Sequence, residues 1–141
     1  MSNKHFLMAC ALLVASATGA AADSYWPAKI TGTWKGVSNQ SPIVLKIVSQ
    51  STGSKCENIA GSLHDVNGGF TNQVTGYYCP ASGAFQFMRY PANSNVAFQV
   101  YSGNLSQANP PQSETILMAG SFGQYSQAFG PLGQYSFSLT K

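Results

Sequence analysis

Apolar and polar residues alternate with a period of two along most of this chain, and no stretch carries the repeat of a helix. The alternation divides into eight segments, 30–37, 42–48, 56–65, 71–79, 84–90, 96–103, 115–122 and 133–141, each predicted to be a strand. In the first, Ile30, Gly32, Trp34 and Gly36 share one face, while Thr31, Thr33, Lys35 and Val37 share the other. A large aromatic between two glycines suits a tightly curved strand that drops one bulky side chain into an interior. Glycine there lacks the Cβ that would obstruct the curve. The last segment sets Tyr135, Phe137 and Leu139 against the polar set Gln134, Ser136, Ser138 and Thr140.

Turn residues separate the segments at short intervals. The stretches 50–54, 67–69, 80–83 and 91–95 reverse the chain, and 106–113, with Pro110-Pro111, reads as a rim loop. The stretch 123–133 holds Gly-Gln-Tyr-Ser at each end and reads as a glycine-rich hairpin loop. Eight strands on hairpin-length connections leave a sandwich or a barrel. Pairing of neighbours, with the last strand closed on the first, removes the exposed edges. The expected fold is therefore all-β, an eight-stranded antiparallel up-and-down barrel.

Asn67-Gly68 is the strongest hairpin signal in the chain, since both positions tolerate positive φ. A two-residue turn there places Cys56 directly opposite Cys79, with Ile59, Gly61 and Leu63 on one face with Val74, Gly76 and Tyr78. Counting from that turn makes the cysteine pair a hydrogen-bonded one, at the wider of the two antiparallel spacings unless a bulge intervenes. Further on, Phe85, Phe87 and Arg89 share a face, with Gln86 and Met88 opposite. A two-residue turn at Asn93-Ser94 would set Phe98 and Val100 beside Arg89. Either way the 96–103 segment carries apolar groups on both faces, which predicts a neighbour packed outside it, a homo-oligomer contact.

Residues 1–22 change the picture of the chain's ends. Lys4 and His5 precede an apolar run from Phe6 to Ala15, and Ala20-Ala21-Ala22 offers a small-residue cleavage site before Asp23. This is the pattern of a secretory signal peptide, so the expected mature domain is 23–141, secreted or periplasmic. The run is too short to cross a bilayer. With Cys10 in the leader, Cys56 and Cys79 remain, and in an exported protein two cysteines read as one disulfide, the alternative being a pair of buried thiols. Without Lys4 the mature segment has six basic and four acidic side chains, a net charge of +2. That charge and the lack of any basic stripe argue against nucleic acid as a partner, and no membrane segment is expected.

Ile30-Thr31-Gly32-Thr33-Trp34 resembles the first strand of the avidin and streptavidin family almost letter for letter. Weaker likenesses follow in the family's order: Ala60-Gly61-Ser62-Leu63, Val74-Thr75-Gly76-Tyr77-Tyr78, Tyr101-Ser102-Gly103-Asn104 and Gly133-Gln134-Tyr135-Ser136-Phe137. The resemblance implies an eight-stranded barrel, often a dimer or tetramer, that holds biotin at one end. Most positions that would hold it differ. The strand-one Asn falls on Gly36, with Ser38, Asn39 and Ser41 left to form a polar loop. The ureido-binding Tyr falls on Leu63 and the strand-eight Asp on Tyr135. The stacking tryptophans fall near Arg89, Tyr101 and Met118 or Ala119, and the one lent by a neighbouring subunit corresponds to Phe129. Each lost buried polar partner costs about 1 to 3 kcal/mol, so three would remove roughly three to six orders of magnitude of biotin affinity. The family alignment also sets Gln99 and Tyr101 beside Arg89, the register opposite to that of the Asn93-Ser94 turn.

The resulting candidate ligand site is Trp34, Asn39, Ser41, Phe85, Phe87, Arg89, Tyr101 and Tyr135. An inward Arg89 beside two phenylalanines would anchor a carboxylate or phosphate, because its planar fork matches either anion. At a strand end it would instead reach solvent. Catalysis finds no support: His64 is the one histidine after the leader, its neighbour Asp65 points to the other face, and no nucleophile elbow or phosphate loop occurs. One histidine and four scattered acids make no metal set, and nothing calls for a cofactor. Two readings remain. One is a binder of a small ligand, biotin-like or anionic, in the barrel mouth. The other is a protein-interaction module, an inhibitor or secreted or surface effector, working through rim loops and outer strand faces. A barrel filled by Trp34, Phe85, Phe87, Phe137 and Leu139 would favour the second.

Overall fold

The computed structural model describes residues 26–52, 55–106 and 115–141. The leader expected at 1–22 and the Pro110-Pro111 loop lie outside the described residues. Eight strands follow in order: β1 Gly32–Ser38, β2 Ser41–Gln50, β3 Glu57–Asp65, β4 Phe70–Cys79, β5 Ala84–Tyr90, β6 Gln99–Leu105, β7 Leu117–Ser126 and β8 Gly130–Thr140. Each pairs antiparallel with the next, and β8 returns to β1 from Lys35↔Thr140 to Ser38↔Phe137, closing the barrel. The β1–β2, β3–β4, β5–β6 and β7–β8 connections therefore crowd one end, here the mouth. The opposite strand ends, with the described termini Trp26 and Lys141, form the floor.

The period-two alternation becomes inside and outside. Trp34, Leu45, Leu63, Val74, Tyr78, Phe87, Tyr101, Met118 and Leu139, each at most 2% exposed, fill the interior. A barrel of eight strands is just wide enough for its own side chains, and each large apolar group so buried stabilises by about 1.5–3 kcal/mol. Along the β5–β8 wall the rings stack in a row: Phe87 on Tyr101 at 4.6 Å, Tyr101 on Phe122 at 4.7 Å, Phe122 against Tyr135 at 5.2 Å. Phe137 stands edge-on to Phe85, Phe87 and Tyr101, the arrangement that ring quadrupoles favour. Trp34 satisfies its one polar group by donating to the Ile30 carbonyl at 2.8 Å. The glycines flanking it serve different ends. A Cβ on Gly36 would sit 2.0 Å from the Ser138 carbonyl oxygen, so β8 can approach only a glycine, whereas Gly32 adopts φ 124° where the chain enters β1.

The segment before β1 crosses the floor as a strap. The Trp26 indole donates to the Leu105 carbonyl at 3.2 Å and the Tyr78 hydroxyl to the Pro27 carbonyl at 2.7 Å. Gln50 accepts from the Ile30 N–H and donates to the Ala28 carbonyl, both at 2.8 Å, and to the Glu57 carboxylate at 2.6 Å. Burial, with the Glu57 charge adding to it, pushes the Tyr78 phenol up to about 12. At the other end of the chain Lys141 and Ile116 exchange backbone hydrogen bonds at 3.0 and 3.1 Å.

The turns revise several expectations. β3 and β4 take the expected register, Ile59 opposite Gly76 and Leu63 opposite Asn72, and Cys56 and Cys79 form the disulfide. The turn that sets this register is not the expected one. It is a four-residue loop, 66–69, in which the Asp65 carbonyl accepts from Gly69 and only Gly69 takes positive φ. The cysteine Cα atoms lie 4.0 Å apart, on the close side of the two antiparallel spacings. Asn39 and Gln40, both at positive φ, join β1 to β2 as a tight turn in place of the expected polar loop. The strand β6 begins at Gln99, so Phe98 precedes it, and Val100 lies on the outer face. The glycine-rich stretch 123–133 is mostly strand, with its turn confined to 127–129.

Candidate functional site

The mouth is organised by Arg89, next to last in β5 and only 3% exposed. Strand alternation forces it inward: Phe85 and Phe87 are buried on the same face, and β5 offers no bulge to turn the sixth residue out. An arginine this deep needs partners, because an uncompensated charge in the interior is costly. Two neutral amides supply them. Nε donates to Asn72 Oδ1 at 3.1 Å and Nη1 to Gln99 Oε1 at 2.9 Å. The guanidinium carbon lies 5.2 Å from the ring centroids of both Phe70 and Phe98, within cation–π range. Nη2 is buried and has no hydrogen-bond partner. The acids among the described residues are engaged elsewhere, Glu57 with Gln50 and Asp65 with the Gly68 N–H at 2.8 Å.

Gln99 connects Arg89 to a second polar pair. Its Oε1 also accepts from the Tyr101 hydroxyl at 3.0 Å, and the Tyr101 oxygen lies 3.3 Å from Ser38 Oγ. With its proton directed at Gln99, Tyr101 is left to accept from Ser38. Burial raises the Tyr101 phenol above its ordinary range, opposed by the Ser38 hydrogen bond and the Arg89 charge. The phenol is thus a neutral donor at physiological pH. Between the start of β4 and the β5–β6 loop an open cleft of about 740 Å³, lined by Asn72, Gln73, Pro91, Asn93, Ser94 and neighbours, leads to the rim. Asn72 is common to this cleft and to the Arg89 cluster.

The eight residues expected at the site separate into layers. Arg89 and Tyr101 belong to the polar cluster. Trp34, Phe85 and Phe87 lie beneath it, each at most 2% exposed, packed into the core. Tyr135 packs on Phe122 and is half-buried. Ser41 pairs with Ser38 at the rim, on the inner face, while Asn39 sits exposed in the β1–β2 turn. The β5–β6 register is Phe87↔Tyr101 and Arg89↔Gln99, as the family alignment implied and not as the Asn93-Ser94 turn required. Asn93 does take positive φ, but the connection runs from 91 to 98 and closes with the Phe98 N–H on the Arg89 carbonyl at 3.0 Å. Asn72 and Phe70 were not anticipated as partners of Arg89, whereas Phe98, expected beside it from the Asn93-Ser94 turn, does meet it, from the residue before β6 and not as its ladder partner. The signal for Asn72 was a polar residue on the face that Val74, Gly76 and Tyr78 share.

His64 is on the outside, its Nδ1 2.9 Å from Thr71 Oγ1. Among the described residues no three His, Cys, Asp or Glu side chains are grouped to hold a metal ion, and no helix is long and apolar enough to cross a membrane. No protein-family model, curated protein or solved structure matches the chain. Closed eight-stranded barrels are shared by unrelated families, so membership of the avidin and streptavidin family stays an expectation from the sequence motifs.

Proposed function

We propose that this chain is an exported, non-catalytic avidin-like barrel that binds a small ligand at its mouth, around Arg89. The observation that carries this reading is Arg89, 3% exposed, its guanidinium given neutral partners only and its Nη2 unpartnered. A group so placed is destabilising unless something completes its hydrogen bonds. The filled interior makes the site shallow, with the ligand above the aromatic row and not within the barrel. The packing of Trp34, Phe87 and Tyr101, each 0% exposed, weighs against biotin in its deep family pose. Native mass spectra of the protein from an exporting host, with and without biotin, test the reading. A retained small-molecule adduct that Arg89→Gln abolishes would support it, and a bare protein under every condition would overturn it.

A second reading, a protein-interaction module, is favoured by the filled barrel and by apolar groups left outside: Phe129 is 82% exposed, with Tyr125, Leu132 and Val96 each near half. It predicts an oligomer or complex that Val100→Asp disperses, in a protein that carries no adduct.

A further inference from the structure

Resting on the mouth-binding reading, we propose that the ligand is a monoanionic organic carboxylate, and that the mouth discriminates against phosphate and against neutral isosteres. Arginine only donates hydrogen bonds, so Asn72 and Gln99 must turn their carbonyl oxygens toward Arg89, as they do. Tyr101 occupies a further lone pair of the Gln99 oxygen. The acceptors nearest the guanidinium are thereby engaged, and what the cluster still offers is donors: Nη2 of Arg89 and the amide NH₂ groups of Asn72 and Gln99. A set of donors around a buried positive charge selects an acceptor that carries negative charge.

Charge fixes the valence. Arg89 is the one arginine of the chain, and none of the described lysines joins it. Lys35 and Lys46 alternate onto the outer face opposite Trp34 and Leu45, and Lys29, Lys55 and Lys141 lie at the floor. Asp65, in the β3–β4 hairpin at the same end, adds negative field at Tyr101. A dianion would leave one charge uncompensated in the field of Asp65, whereas a single carboxylate is neutralised by Arg89. The rings of Phe70 and Phe98 against the guanidinium supply an apolar wall for the rest of the molecule. Phe70, the first residue of β4, is 48% exposed and is the more exposed of these two rings.

The test uses benzoate, its neutral isostere benzamide, and inorganic phosphate as probes, with NMR titration of the side-chain amide signals of the full chain. Benzoate should move the Asn72 and Gln99 signals and bind at least ten-fold more tightly than benzamide or phosphate. Arg89→Gln should remove that preference. Because this variant alters a buried group, Asn72→Asp provides a nearly isosteric second arm. It places a carboxylate against Nε, so it should raise the melting temperature and weaken benzoate at least ten-fold. Benzamide or phosphate binding as well as benzoate would overturn the carboxylate assignment and leave the mouth reading standing. If no probe moves a mouth signal and Asn72→Asp does not raise the melting temperature, both fall.

Discussion

Gly76, in the middle of β4, faces the interior opposite Phe87. A Cβ added there would lie 2.0 Å from the Gln86 carbonyl oxygen and 2.5 Å from the Phe87 Cα, while real Cβ atoms essentially never come within 3.0 Å. Both obstructing atoms are backbone, so no rotamer change can relieve the clash, and β4 and β5 must separate by about 1 Å. Ladder hydrogen bonds near 2.9 Å would then stretch beyond useful length, and losing the nearest two costs about 1 kcal/mol each. The shift also lifts Phe87 off Tyr101, now 4.6 Å apart, at an overpacking cost of about 1–3 kcal/mol. Gly76→Ala should therefore destabilise by about 3 to 5 kcal/mol. Gly130→Ala is the control: its φ is 71° and its Cβ meets nothing within 4 Å, so it carries only left-handed backbone strain of about 1–2 kcal/mol. Urea unfolding followed by tryptophan fluorescence measures both. Equal losses in the two variants would refute the claim that close strand approach, and not conformation, requires glycine at position 76.

Three further outcomes concern the floor, the disulfide and the core. Tyr78 holds its proton up to about 12 in the fold, against about 10 in an unfolded chain. Its contribution is therefore complete below pH of about 10 and is lost as pH rises toward 12. Tyr78→Phe should flatten that alkaline limb in denaturation midpoints measured against pH, and an unchanged slope would assign it to other tyrosines. Replacing both Cys56 and Cys79 by serine opens a loop with sequence separation 23 and should cost about 3 kcal/mol, read as a shift of the urea midpoint; no shift would mean the unfolded chain is already constrained there. Trp34→Phe leaves the Ile30 carbonyl without its indole donor and opens a gap, for a loss of about 2 to 4 kcal/mol in thermal unfolding; a loss under about 1 kcal/mol would show that a water or a neighbour takes the indole's place.

Strand existence was legible because one face of each strand is buried, which writes a period of two into the sequence. The span 84–90 matches β5 residue for residue. Boundaries failed where pairing outran the pattern: β7 and β8 continue through glycines and Gln124 by pairing with each other, which no alternation marks. The β3–β4 register was legible from two independent signals, Asn-Gly and the cysteines, although the loop between them closes on Gly69. The β1–β2 turn was not, since Gln40 at φ 68° is an uncommon residue for that conformation. Arg89 could be named from sequence but its environment could not. Whether Gln99 or Phe98 became its ladder partner depended on one residue of loop length between 91 and 98, and a slip of one exchanges inside for outside. The β3–β4 register placed Asn72 on the inner face, yet nothing in the sequence required it to meet Arg89.

The strap across the floor also fixes how the protein can be held. Trp26 and Lys141 both lie at the end away from Arg89. A linker spliced after Lys141, or a surface gripping the chain ahead of Trp26, takes the barrel by its base like a cup, rim outward. Cups immobilised this way would all present their rims to the solvent together, and a sensor chip coupled through Lys141 would keep the Arg89 end clear of the matrix.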